Sequence, residues 1–223
     1  MTLRAIVLRP APGGEATAQA LRAMGIVADC VPLFAMEALD PPPLASDGCD
    51  AVMLTSANAV RFGGPLLDRI GDVPVHCVGE ATAAAARAAG LRIGIVGDAG
   101  AQALVDRIAQ HADPPRHLLW IAGEVHRQIA CPDGLQLEIV PVYRARACAV
   151  PAQALSGPAV VLVHSAGAAE RLASLVTDRA QVQLVAISAA AAAAAGPGWA
   201  AIHVAPRPRN AELLAIAAKL CQE

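Results

Sequence analysis

Aromatic side chains make up 2% of this 223-residue chain, too few to build the stacking platforms on which single-stranded nucleic acids lie. A basic surplus is also missing. Seventeen Lys and Arg against nineteen Asp and Glu give a formal net charge of −2, and a chain so balanced lacks the charge that neutralises a polyphosphate backbone. No nucleic-acid partner is expected. Cysteine has no pattern: Cys30, Cys49, Cys77, Cys131, Cys148 and Cys221 show neither C-x-x-C nor finger spacing, so they are expected to be reduced core thiols. His76, His111, His117, His126 and His203 show no paired ligand spacing, and no metal is expected. A long membrane-type run is absent as well. The stretch 180–206 carries no charged residue, but Gln181, Gln183, Ser188 and "GPGW" at 196–199 interrupt it, and much of it is weakly hydrophobic Ala. It reads as strand, helix, turn and strand despite the mean hydropathy of +0.48. The apolar stretch between Arg4 and Arg9 is too short for the core of a signal peptide, and a cytoplasmic protein is expected.

What the chain does have is core-forming material, 56% apolar residues, arranged in short runs. "AIVLR", "AVMLTS", "VHCVG", "RIGIVG", "HLLWIAG", "LEIVPVY", "AVVLVHS", "LVAIS" and "AIHVAP" are apolar on both alternations, the pattern of parallel strands covered on both faces. Ala-rich stretches of helical length separate them, among them 14–24, 81–89 and 210–220. Alternation of strand and helix throughout predicts α/β layering with right-handed crossovers.

The chain also repeats itself. "TSANA" from Thr55 and "HSAGA" from His164 lie 109 residues apart, as do "VGEA" from Val78 and "ISAA" from Ile187, and "PLF" from Pro32 and "PVY" from Pro141. Three landmarks in one register indicate two copies of one α/β unit of about five strands. The segments around 32–40 and 141–150 occupy equivalent places, both ending rich in Pro, and read as connectors. The expected division is a first lobe of residues 1–35 plus 147–223 and a second of 38–142, with a hinge at the two crossings and a ligand cleft between the lobes.

In open parallel sheets ligands sit beyond the carboxyl ends of the strands, where the following helices point unpaired N–H groups. Ser56 is a good N-cap there, and the helix start behind it favours an anion. Thr82 after Gly79 repeats the arrangement, as do Ser165 and Ser188 in the second copy. Each hydroxyl also has a plain structural use in capping its own helix. The set of four, placed alike in both halves, fits a ligand with several carboxylates.

These stretches resemble one family. "LTSANAVR" closing a strand, "VGEATAAAARAAG", the "PVYRA" connector and the opening "VLRP" are together similar to uroporphyrinogen-III synthases. The resemblance implies two α/β lobes on a two-stranded connector. It also implies a lyase, needing no metal or organic cofactor, that closes hydroxymethylbilane into uroporphyrinogen III with loss of water and inversion of the last pyrrole ring through a proposed spiro intermediate. The substrate would be a linear tetrapyrrole bearing acetate and propionate groups, the enzyme a monomer. Tyr143, the one tyrosine, matches the connector tyrosine that assists the leaving hydroxyl, which makes it the candidate general acid. Thr55, Ser56, Asn58, Gly79, Thr82, Ser165, Gly167 and Ser188 match the substrate-binding positions, and Arg9 offers a charge-assisted contact. Three departures stand out: Ser188 where Gly is usual, no Thr in the poly-Ala that follows it, and His164 before Ser165.

Two other motifs carry little. "VHSAG" lacks the first Gly of a nucleophile elbow, and "GPGWAA" follows a helix where a dinucleotide fingerprint would follow a strand. The remaining rival is a two-lobed anion-binding or regulatory module that keeps the scaffold without turnover.

Overall fold

The computed structural model describes residues 3–41, 43–44 and 48–223. In chain order these form β1 (Arg4–Val7), α1 (Gly13–Ala23), β2 (Ala28–Cys30), β3 (Phe34–Ala38), β4 (Ala51–Leu54), α2 (Ala57–Arg69), β5 (Val75–Cys77), α3 (Glu80–Ala88), β6 (Ile93–Val96), α4 (Ala101–Ala109), β7 (His117–Gly123), β8 (Gln136–Ala147), β9 (Ala159–Val163), α5 (Ala166–Leu175), β10 (Val182–Ala186), α6 (Ala189–Ala195), β11 (Ala201–Val204) and α7 (Asn210–Gln222). The chain divides into two compact units, Met1–Ala35 with Arg146–Glu223, and Met36–Ala145. Strands β3 and β8 run across the division.

The first unit holds a sheet ordered β11-β10-β9-β1-β2, all neighbours parallel. Its central strand β9 is buried at every residue, whereas edge strand β11 alternates, as burial on two faces against one requires. Alternate side chains feed two cores. Ile6, Val161, Val163 and Leu184 pack with α5, α6 and Trp199 on one face. Ala5, Val7, Val160 and Leu162 pack with α1 and α7 on the other.

The sheet of the second unit is ordered β3-β8-β7-β4-β5-β6, parallel from β8 to β6. Val52, Leu54, Leu119 and Ile121 face α2 and α3; Ala51, Met53, Leu118 and Trp120 face α4. Helix α2 is kinked where Gly64 takes φ 25° and Pro65 supplies no N–H.

One expectation fails here. Strand and helix do not alternate throughout: between β7 and β8 the segment 124–135 is not helical. Its "EVHRQIACPDG" lacks an apolar 3.6 period and carries Pro132 and Gly134, both helix breakers. Past this loop, Pro141 sits at a register shift, so that Ala122 pairs with Pro141 but Gly123 with Tyr143. A bulge of this kind re-aims the side chains beyond it.

Candidate functional site

In the middle of each sheet the connections leaving two neighbouring strands go to opposite faces, and the carboxyl ends there form a crevice. In the second unit the pair is β4 and β7, followed by α2 on one face and by the loop containing Ile129 on the other. In the first it is β9 and β1, followed by α5 and α1.

The crevice of the second unit gathers residues from three strands. Thr55, just past β4, accepts a hydrogen bond from Trp120 Nε1 at 3.1 Å, which ties the ends of β4 and β7 together. His126 lies edge-on to Trp120, ring centroids 5.1 Å apart, and its Nδ1 donates to the Gly123 carbonyl at 3.0 Å. Tyr143 on β8 is half-buried and stacks on Phe62 of α2 at 5.8 Å. Its ring lies against the backbone of residue 123: a Cβ added there would come within 2.9 Å of Cζ and 3.1 Å of the hydroxyl. Glycine at 123 is therefore the space that Tyr143 occupies.

Next to it, Ser56 caps α2, its hydroxyl accepting from the Asn58 N–H at 3.1 Å, and Asn58 Oδ1 accepts from Arg61 at 3.0 Å. Helix α3 begins differently. Gly79 holds the N-cap place with extended backbone and no side-chain bond, and only Thr82 and Ala83 return their N–H groups to its carbonyl. The N–H groups of Glu80 and Ala81 receive no side-chain cap. Thr82 itself is 5% exposed, inside the first turn of α3.

In the first unit, Ser165 caps α5 through the Ala168 N–H at 3.2 Å, and Ser188 caps α6 through the Ala191 N–H at 3.3 Å. The departure from Gly at 188 is thus a conventional cap on a short helix. Gly167, in the first turn of α5, faces open space. Arg9 is exposed just past β1, and its guanidinium lies where a side chain on Gly13, in the first turn of α1, would have to go. His164 bonds Asn210 Oδ1 through Nε2 at 2.9 Å, while its Nδ1 is buried without a partner. Burial first, and the Arg9 charge after it, push its pKa down; the bond to Asn210 and the nearby Leu162 carbonyl oppose them.

The structure thus brings Thr55, Ser56 and Asn58 to one strand end with Tyr143 in the same unit, and Arg9, Ser165 and Gly167 to strand and helix ends in the other. Trp120, Phe62, Gly123 and His126 complete the surroundings of Thr55 and Tyr143. Of these the sequence offered one signal, the Gly closing "HLLWIAG". No cluster of three or more His, Cys, Asp or Glu able to hold a metal ion occurs among the described residues, and no helix among them is long and apolar enough to cross a membrane. A cavity of about 780 Å³, lined by Asp50, His76, Arg92, His111 and Arg116 among others, opens at the amino ends of β4 to β7, the end of the sheet away from the crevice.

The sequence profile of the family described as uroporphyrinogen-III synthase HemD matches residues 15–215. The chain belongs to the uroporphyrinogen-III synthase family. No curated protein sequence matches it. Among solved structures it is similar to the uroporphyrinogen-III synthetase of Helicobacter pylori, at 13% identity over 98% of this chain and 99% of that one, with a TM-score of 0.64. It is also similar to a mutant uroporphyrinogen III synthase of the extremely thermophilic bacterium Thermus thermophilus, at 18% identity over 99% and 100%, with a TM-score of 0.54. At such identities these likenesses show the two-domain α/β fold, and the family match carries the activity. That match gives the chain the activity of a cyclising lyase of tetrapyrrole biosynthesis, in a family that is cofactor-independent.

Proposed function

We propose that Tyr143 is the general acid of the reaction and that the helix starts of both units take the substrate's carboxylates. The observation that carries the first part is the seat of the phenol, held between Phe62 and the bare backbone of Gly123 at the carboxyl end of the sheet. The hydroxymethyl C–O bond breaks as the phenol gives its proton to the departing oxygen, which leaves as water. The electron-rich pyrrole supplies the electron pair, and the cation so formed is the electrophile that the terminal ring attacks. That ring attacks through its substituted α-carbon, giving the spiro intermediate. The bond from that carbon to the neighbouring methylene then breaks, the methylene re-attaches at the free α-carbon, and the proton lost there as aromaticity returns balances the one the phenol gave. Because the linear substrate also closes unaided to the uninverted isomer, the protein's main task is to hold geometry.

The carboxylate contacts follow from the first turns of α2, α3 and α5. Asn58 and Gly79 leave polar groups and uncapped N–H groups at α2 and α3, while Thr55, Ser56, Ser165 and Ser188 set where each helix begins. Thr82 steadies the first turn of α3, Gly167 keeps that of α5 unobstructed, and Arg9 adds a guanidinium. All six cysteines are free, in keeping with a reducing compartment, and the reading includes a cytoplasmic monomer, to be checked by light scattering.

Freshly prepared hydroxymethylbilane, with product isomers separated by chromatography, tests the whole. Isomer III above the spontaneous rate of isomer I is expected; isomer I alone would favour a scaffold without turnover. Tyr143→Phe should lower kcat by about 10²-fold or more, and full isomer III output from that variant would remove the assigned acid while leaving the enzyme.

A further inference from the structure

The first unit's crevice contains an acceptor that the reading above does not use. His164 stands at the position equivalent to Thr55, 109 residues on. With Nε2 donating to Asn210, the lone pair on Nδ1 is buried and unmatched. Asn210 is itself fixed, since the Thr17 hydroxyl lies 3.2 Å from its Oδ1 and 2.8 Å from the Gly13 carbonyl. The Leu162 carbonyl is the backbone oxygen that favours the protonated ring, and with Nε2 held by Asn210 it is left to Nδ1. Both nitrogens of an imidazolium would therefore find oxygens, whereas the neutral ring leaves one nitrogen unsatisfied.

Two things hold the proton off. One is burial, and the other is the positive charge of Arg9. The charged residues on the elements around the ring are Arg4 on β1 and Arg9 after it, Glu15 and Arg22 on α1, Glu170 and Arg171 on α5, and Arg209, Glu212 and Lys219 on or just before α7. Arg4 pairs with Asp29, Arg22 bonds the Ala28 carbonyl, Arg171 bonds the Cys148 carbonyl, and Lys219 lies near Glu223. Strand β10 has none. Glu212 is ion-paired with Arg207, Glu15 acts on Cys30, and Glu170 and Arg209 are exposed. Arg9 is the one whose charge reaches His164.

We propose that Arg9 and His164 form one proton-coupled carboxylate subsite of the first unit, in which a substrate carboxylate pairs with the guanidinium and the imidazole takes up a proton from solvent. This rests on the reading that substrate carboxylates engage this unit. Pairing cancels the Arg9 charge, which removes one of the two obstacles; the new N–H bond at Nδ1 then gains an acceptor, and the added positive charge strengthens the hold on the anion. No bond other than N–H forms, and the proton comes from the buffer.

Calorimetric titration of the intact protein with uroporphyrinogen III under anaerobic conditions, in buffers of different ionisation enthalpy at neutral pH, measures the uptake. Wild type should absorb up to about one proton per molecule bound and bind more tightly as pH falls. His164→Gln, which keeps a partner for Asn210, should bind with uptake near zero and a flat pH profile. Arg9→Gln should weaken binding about tenfold and shrink the uptake. Unchanged uptake in His164→Gln would overturn the coupling. Nitrogen chemical shifts of His164 in the wild type decide it independently of any folding defect in the variant: a ring neutral in both free and bound protein overturns it. Should Arg9, Ser165 and Ser188 variants all bind as wild type does, the broader reading of this unit fails; weakened binding without proton uptake defeats the coupling alone.

Discussion

The two units share a strand order and a set of helix starts yet differ in what fills the crevice. Read outward from β4 or from β9, each sheet runs through two parallel strands on either side, and the second sheet adds β3 at its edge. The N-caps Ser56 and Ser165 fall 109 residues apart, as do Gly79 and Ser188, and so do the first residues of α4 and α7. The crevices part company at Thr55 against His164, and at Tyr143 against Phe34. Tyr143 stacks on Phe62 beside a glycine backbone, whereas Phe34 lies beneath the guanidinium of Arg171 at 5.5 Å. After β1 the first unit places helix α1; after β7 the second has the loop that brings His126 to Trp120. The backbone N–H donors were kept in both halves and the side chains around them were not. Anion binding asks only for helix starts, while proton transfer asks for one particular group in one particular place.

The difference can be attacked where it is sharpest. Gly123→Val should produce the largest change, because its side chain claims the space of the phenol ring: kcat should fall by about 10²-fold with stability lowered by about 1–3 kcal/mol, read from the isomer assay and from denaturant titration. A fully active Gly123→Val would show that the seat of Tyr143 is immaterial. Thr55→Val strips Trp120 Nε1 of its acceptor and should cost about 2 kcal/mol, accompanied by a change in tryptophan fluorescence; the corresponding His164→Val should leave that fluorescence unaltered.

A third test concerns pH. Burial, aided by His111 and Arg92, pushes His76 down from 6.5 to about 4, and its Nδ1 accepts from the Ile95 N–H at 2.9 Å. Because the folded value lies below the unfolded one, the unfolded chain binds the proton more readily. The stability contribution is complete above pH 6.5 and is lost as pH falls toward about 4, an amount on the order of 2 kcal/mol. Denaturant midpoints between those limits should drop, and His76→Gln should flatten the slope. The smallest expected effects are at the caps: Ser56→Ala and Ser165→Ala should each cost about 1 kcal/mol, Ser188→Gly a few tenths, by thermal unfolding.

Much of this was legible along the chain because it is local. Strands of four to seven apolar residues announce themselves by composition, and a Ser before an Ala-rich run announces a cap, so the helix starts could be placed by number. What could not be read depends on distant residues meeting. Trp120 and Thr55 are 65 positions apart, and the contact of Tyr143 with residue 123 depends on a register shift at Pro141, for which nothing local codes. The loss of a helix between β7 and β8 escaped for a different reason. The repeat made a matching helix the natural expectation, and a duplicated segment is free to drift once its counterpart no longer constrains it. At 188 the substitution that looked like a loss is a capped helix start, since Ser and Gly both serve at that place.

Strand β1 pairs with β2 and β9, and β9 lies some 150 residues further on, beyond the entire second unit. During synthesis the ribosome therefore delivers a chain whose opening strand has only half its neighbours, followed by an inner unit that is complete once residue 145 has emerged. Hydrogen exchange on stalled nascent chains should find amides of β4 and β7 protected while those of β1 still exchange freely. The first sheet can close only once β9 has emerged to pair with β1, so the segment translated first is secured after the whole inner unit.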